Sequence, residues 1–527
     1  SGSGKSALLA NWVIHFQQQN PDILLITHFI GATPQSVDWA AMLRRILNEF
    51  KIHFDIDREI PKSNDALRSD FWIWLQIGAA KGKIIIVIDG LDQLEDHEGA
   101  QSLGWLPTEI PENIHIVLST LPGKPLEVVR KRDWGTLSIE PLSVEECKQL
   151  INDYLAFFSK SLSPARVNRI TADPQSPNPL ALRTLLDELR LFGIHEQLDE
   201  RITTYLNADS IPMLYNLILE RCEQDYERDR PNLVRDIMSL LWASRHGLQV
   251  NEILELLGTN GQPLQYAYFS PLYLALEQSF INRSGVIDFS HEYLRRAVQE
   301  RYLSNRTDQR QIRLKLTNYF EQLKENSSRK VSELPWQMVK IQEWERLSDL
   351  LTNLDFFSAA WTINSDEVKN YWLEVENHSP YRLVNAYLPF LENPKIFHSK
   401  ISNLCSCLSD LGYINEAIKG LSELADIYRG NNDRDLLLVS LHDQISMLQL
   451  LGNYNEISKR LNEIEEIFVK IRGEVASFEK TKNIAYILYG YVYFLHIRAG
   501  ELINSGALSE AWNCLSQAES NFEFLAK

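Results

Sequence analysis

Three consecutive residues near the start, Gly4, Lys5 and Ser6, could do chemistry on phosphate. They complete the pattern G-x-x-x-x-G-K-[ST], in which a glycine loop wraps phosphates and a lysine reaches the terminal ones. The leading glycine of that pattern would fall before Ser1. The strand that feeds such a loop is also absent from the sequence, so this chain is expected to be the middle of a longer protein. The segment "ALLANWVIHF" that follows has the apolar spacing of an amphipathic helix. That puts Gly4-Lys5-Ser6 at a helix N-terminus, where free N–H groups and the positive dipole end favour phosphate. In this reading Gly2, Ser3, Gly4 and Ala7 line the loop, Lys5 meets the β- and γ-phosphates, and Ser6 ligates Mg2+. The same string also occurs in flexible Gly/Ser linkers, so a second element has to decide.

That element is "KIIIVIDGLDQLED", an apolar strand ending in Asp89, with Asp92 three residues on. A carboxylate at a strand tip can hold the shell of a magnesium ion, and Asp92 can polarise an attacking water. The plainer reading is a surface turn after a buried strand. A third apolar run, "NIHIVLST", ends in Ser119 and Thr120, either a γ-phosphate contact or an ordinary strand end.

The elements around these residues change texture along the chain. Up to residue 140, the runs "DILLITHFI", "KIIIVIDGL", "NIHIVLST" and "GTLSIEPL" alternate with helical segments. This alternation predicts four buried parallel strands in a three-layer α/β domain. Beyond Pro141 the pattern is almost all helical, apart from "SFINRSGVIDFSHEYL", which reads as a hairpin before a helix. The tail holds three similar segments, at 411–428, 451–468 and 505–522. Each has glycine second and a small or apolar residue seventh. They predict degenerate tetratricopeptide-like helix pairs, a stacked array that continues past Lys527.

Composition narrows the class. The formal charge of −17 argues against a general nucleic-acid coat, which needs a basic surface. No apolar run approaches the roughly 20 residues that span a bilayer. The five cysteines, Cys147, Cys222, Cys405, Cys407 and Cys514, have no metal-site spacing. They are expected to be reduced in a cytoplasmic protein.

"DGLDQL", "VDWAAMLRRIL" and "WLPTEIPENIHIVLSTLPG" together resemble the NACHT-type STAND NTPases, in particular the nephrocystin-like and telomerase-associated members and their bacterial relatives. The resemblance extends through "SPNPLALRTLLDELR" and "FINRSGVIDFSHEYLRRAVQERY". It implies an ATPase domain at 1–140, a small helical domain at 141–205 and a winged helix at 206–305. A helical linker at 306–400 and repeats at 401–527 follow. It implies ATP or ADP with Mg2+ as cofactors, Pro179 near the adenine, and His291 on the β-phosphate of ADP. Gln93 and Leu121 stand where the family often has Glu and Arg, which favours slow turnover over fast hydrolysis. The implied function is a slow ATPase used as a switch. The repeats sense a macromolecular trigger, ATP replaces ADP, and the chains form a homo-oligomer that activates an effector outside this sequence. Such proteins serve anti-phage defence in bacteria and innate immunity in animals. A nephrocystin-like scaffold and a transcriptional regulator remain alternatives. No membrane or direct nucleic-acid contact is expected of this chain.

Overall fold

The computed structural model describes residues 2–61, 63–96 and 98–474, together with residues 495, 499, 509 and 511–516. The chain divides into two compact units, Ser1–Tyr319 and Phe320–Lys527.

The first unit opens with α1 (Lys5–Gln19), β1 (Leu24–Phe29), α2 (Trp39–Phe54), α3 (Asn64–Lys81), β2 (Ile84–Asp89), β3 (Ile114–Leu118) and α4 (Lys124–Lys131). The strands are parallel in the order β1-β2-β3, with Leu24 opposite Ile84 and Ile84 opposite Ile114. Every residue of β2 is buried, as its unbroken Ile/Val run requires of a strand covered on both faces. Ile84, Ile86 and Ile88 share a core with Leu43, Ile46 and Phe50 of α2 and Phe71 and Trp74 of α3. Ile85 and Val87 point the other way and are buried too; α1 packs against β1 and β2. Asp38 and Ser63 cap α2 and α3 by accepting from Ala41 and Ala66 N–H.

The expected fourth strand is not formed. Residues 134–143 are irregular, and Leu137 is 87% exposed. The apolar pattern of "GTLSIEPL" suits a strand, but its backbone goes elsewhere: Leu142 N–H donates to Pro177 O at 2.9 Å. The parallel sheet therefore has three strands among the described residues.

Five helices follow: α5 (Val144–Phe157), α6 (Pro164–Thr171), α7 (Pro179–Leu191), α8 (Leu198–Leu206) and α9 (Ile211–Tyr226). Ser143, Ser163, Asn178 and Ser210 cap four of them, and proline begins or follows the start of α6, α7 and α9. A buried ion pair rivets α7 to α9: Arg221 Nε and Nη2 donate to Glu188 Oε2 and Oε1 at 2.7 and 3.0 Å. Tyr205 of α8 adds a hydroxyl to the same carboxylate at 2.8 Å.

The unit closes with α10 (Leu233–Ala243), β4 (Leu248–Gln249), α11 (Val250–Leu256), α12 (Tyr266–Ala275), β5 (Phe280–Arg283), β6 (Val286–Phe289), α13 (Glu292–Tyr302) and most of α14 (Arg306–Gln322), whose last three residues are counted with the second unit. The three short strands form an antiparallel sheet in the order β4-β6-β5. Ser284 and Gly285, both at positive φ, make the two-residue turn of the expected hairpin.

The second unit is helical throughout its described residues: α15 (Ser328–Ile341), α16 (Trp344–Thr352), α17 (Leu354–His378), α18 (Leu383–Leu391), α19 (Pro394–Asp410), α20 (Ile414–Asn431), α21 (Arg434–Leu450) and α22 (Tyr454–Glu474). Helices α19 and α21 begin 40 residues apart, as do α20 and α22, so the last four form two tetratricopeptide-like hairpins with a repeat longer than the usual unit of about 34 residues. The second-position glycines Gly412 and Gly452 take φ of 92° and 65° in the turns. The seventh-position residues Ala417, Ile457 and Ala511 are each at most 2% exposed. A Cβ on Gly420 of α20 would lie 2.8 Å from Leu391 Cδ2 and 2.9 Å from Cys405 Sγ, so α20 approaches its neighbours too closely for a side chain. Most of the third segment, 505–522, lies outside the described residues.

Candidate functional site

Gly4, at φ 82°, is the N-cap of α1, and Lys5 is the first helical residue. The first turn of α1 carries no acidic residue and Gly4 supplies no side-chain cap, so its N–H groups remain available to an anion. A Cβ on Gly4 would meet only Pro179 Cγ, at 4.0 Å. Gly2 is tighter. Its carbonyl accepts from Leu180 N–H at 3.1 Å, and a Cβ there would stand 2.7 Å from Leu180 Cβ. The glycine at position 2 is thus required by the seat of α7 as well as by the loop. Lys5 Nζ rests 3.4 Å from Ser3 Oγ. Ser6 and Ala7 are exposed.

The start of α7 brings more than Pro179. Arg183 lies one turn on, along the same side of the helix. Its guanidinium reaches Gln278 Oε1 at 2.6 Å. His291, the N-cap residue of α13, is held below the usual imidazole range, first by burial and then by the charge of Arg183. Both favour the uncharged ring. The structure thus brings Gly2, Gly4 and Pro179 together and places His291 beside Arg183. Arg183 was missed in the sequence, where only its place one turn after Pro179 could have drawn attention.

A second group gathers at the end of β2. Asp89 is 4% exposed, and Ser119 Oγ donates to its Oδ1. The same hydroxyl accepts from Gly90 N–H at 2.9 Å. Asp92 Oδ1 accepts from Leu121 N–H at 2.9 Å. Ser119 therefore serves the carboxylate beside it, while Thr120 donates to the neighbouring Leu121 carbonyl at 3.1 Å. Gln93 Oε1 fills the space a Cβ on Gly31 would occupy. Among the described residues no group of three or more His, Cys, Asp or Glu is placed to hold a metal ion. A magnesium ion here would depend on phosphate and water oxygens, as that ion ordinarily does.

Two arginines from the antiparallel-sheet segment reach this second group. Arg245 grips Glu95, Nε on Oε1 at 3.2 Å and Nη2 on Oε2 at 2.8 Å. Arg283, on β5, sets Nη2 4.0 Å from the point a Cβ on Gly31 would take. No local pattern in the sequence announces either contact.

A TPR repeat-containing protein of Dictyostelium discoideum is 32% identical over 90% of this chain and 32% of its own length. This chain is similar to tetratricopeptide-repeat proteins over nearly its whole length. Tetratricopeptide repeat protein 41 of Mus musculus is 24% identical over 93% of the chain and 40% of its own. Nephrocystin-3 of Homo sapiens is 25% identical over 87% and 36%. The chain thus spans about a third to two fifths of the length of these three relatives. No protein-family model matches it. No helix among the described residues is long and apolar enough to cross a membrane.

Proposed function

We propose that this chain is part of a scaffold protein that assembles protein partners through its tetratricopeptide-like helices, with a nucleotide bound in the first unit setting the state of assembly. The observation that carries the scaffold reading is the pair of 40-residue hairpins α19–α22, found in a chain whose relatives are named for such repeats. Stacked helix pairs present an extended face suited to a protein ligand. The nucleotide would be ATP or ADP. The uncapped start of α1, the open space at Gly4, and Lys5 fit its phosphates. Ser6 and Asp89 would hold Mg2+, with Pro179 and His291 closing over the nucleotide.

The second reading is a slow ATPase switch, in which ATP drives homo-oligomerisation and an effector elsewhere is activated. Asp92, held by Leu121 N–H at the end of β2, favours it as the residue that would orient water.

One experiment tests both. Binding of Mg-ATP and Mg-ADP is measured by titration calorimetry, and mass by light scattering, on the full 527-residue chain, Lys5→Ala and Asp92→Asn. Lys5→Ala is expected to lose nucleotide binding; unchanged affinity removes the nucleotide from both readings. A scaffold tuned by nucleotide occupancy leaves Asp92→Asn with the wild-type mass in ATP. A switch reset by hydrolysis traps Asp92→Asn in the larger species.

A further inference from the structure

We propose that Arg245 is a positioning residue for Asp92, holding through Glu95 the loop that aims this acid. Its catalytic consequence rests on the ATPase reading above; its geometry does not. Arg245 stands just past α10, whose end is closed by Ser244 Oγ donating to Leu241 O at 2.8 Å. Two parallel bonds from a guanidinium to a carboxylate fix orientation as well as distance. The Arg245 side chain is 8% exposed and that of Glu95 31%, so solvent and salt screen the pair weakly.

The loop between Gly90 and Glu95 is pinned at several points. Gln93 N–H donates to Gly90 O at 2.8 Å and Leu91 N–H to Ser119 O at 2.9 Å. Glu95 N–H donates to Val37 O at 3.1 Å. Arg245 adds the anchor that comes from 150 residues away, and Arg283 brings a second positive charge from the same segment toward Gly31. Any movement of the antiparallel-sheet segment therefore pulls on, or releases, the residue three positions before Glu95, which is Asp92. Arg245 touches no nucleotide in this proposal.

The test uses the full chain as Arg245→Ala, Arg245→Lys and the exchanged pair Glu95→Arg/Arg245→Glu. It reads amide hydrogen exchange of residues 90–96, and kcat and KM for Mg-ATP. Loss of two charge-assisted bonds is expected to speed exchange about ten-fold in Arg245→Ala. It should lower kcat by a similar factor with KM unchanged; the exchanged pair restores both. Arg245→Lys, a point charge without the fork, is expected in between, and carries the test if the alanine variant does not fold. Wild-type exchange in Arg245→Ala or Arg245→Lys overturns the proposal. So does a kcat that stays low in the exchanged pair after exchange has recovered. Absence of ATP turnover in the wild type overturns the ATPase reading instead, and leaves the exchange measurement to decide the role of Arg245.

Discussion

Ser119 Oγ joins Asp89 to the backbone of the next residue: it donates to the Asp89 carboxylate and accepts from Gly90 N–H at 2.9 Å. A single hydroxyl thus orients the acid at the end of β2 and fixes the turn that leaves it. Ser119→Ala strands both partners in a buried place. It should cost about 1.5–3 kcal/mol of stability. Urea denaturation followed by circular dichroism measures this, and Ser119→Thr should retain most of it. An alanine variant as stable as the wild type would show that the hydroxyl is dispensable.

Acid should loosen the first unit through His28. Arg45 Nε donates to His28 Nδ1 at 3.2 Å, so Nδ1 is the bare nitrogen and Nε2 carries the proton toward Ser36 O, 3.0 Å away. Burial, with the Arg45 charge, lowers the pKa, while the Ser36 carbonyl opposes them. A histidine with a depressed native pKa contributes stability in full above its unfolded value of about 6.5, and loses it as pH falls through the native one. Wild-type stability should therefore fall below about pH 6.5. His28→Gln should flatten that step, as seen in denaturation midpoints from pH 7.5 to 5. An unaltered slope would remove His28 as its source.

The rivet between α7 and α9 predicts an ordering of variants. Arg221→Ala leaves Glu188, on a side chain 4% exposed, without its guanidinium, and should cost about 3–5 kcal/mol. Replacing both partners, Arg221→Met with Glu188→Leu, should cost less than the single change. A double variant less stable than Arg221→Ala contradicts this account.

Glycines in one helix should respond oppositely. Gly420→Ala forces a methyl against Leu391 and Cys405 and should destabilise by about 1–3 kcal/mol. Gly430→Ala, in the last turn of the same helix, meets nothing within 4 Å and should stabilise by about 0.5–1 kcal/mol. Chemical denaturation of the full chain compares the two; equal effects would mean the close approach at Gly420 is relaxed at no cost.

Much of this was legible in local pattern. The Ile/Val run ending in Asp89, the helix starting at Lys5 and the hairpin before α13 each follow from signals within a few residues, and the helix pairs of the tail from the similarity of segments 40 residues apart. "GTLSIEPL" shows where that stops. A strand requires a partner as well as a composition, and this segment spends its Leu142 N–H on Pro177. Arg183 beside His291, and Arg245 on Glu95, depend on which elements the chain folds back upon, which periodicity does not encode. Ser119 lay between the two cases. Its place at a strand end was visible, but its service to Asp89 needed the register of β2 against β3.

From α17 onward, each helix packs chiefly against helices one or two places away along the chain. Among the described residues such a stack has no closing seam. In such a stack whole hairpins can be gained or lost at an end without rewriting the contacts of those already in place. Reach is thus a quantity that evolution can adjust by counting units, independently of whatever chemistry the first 319 residues perform.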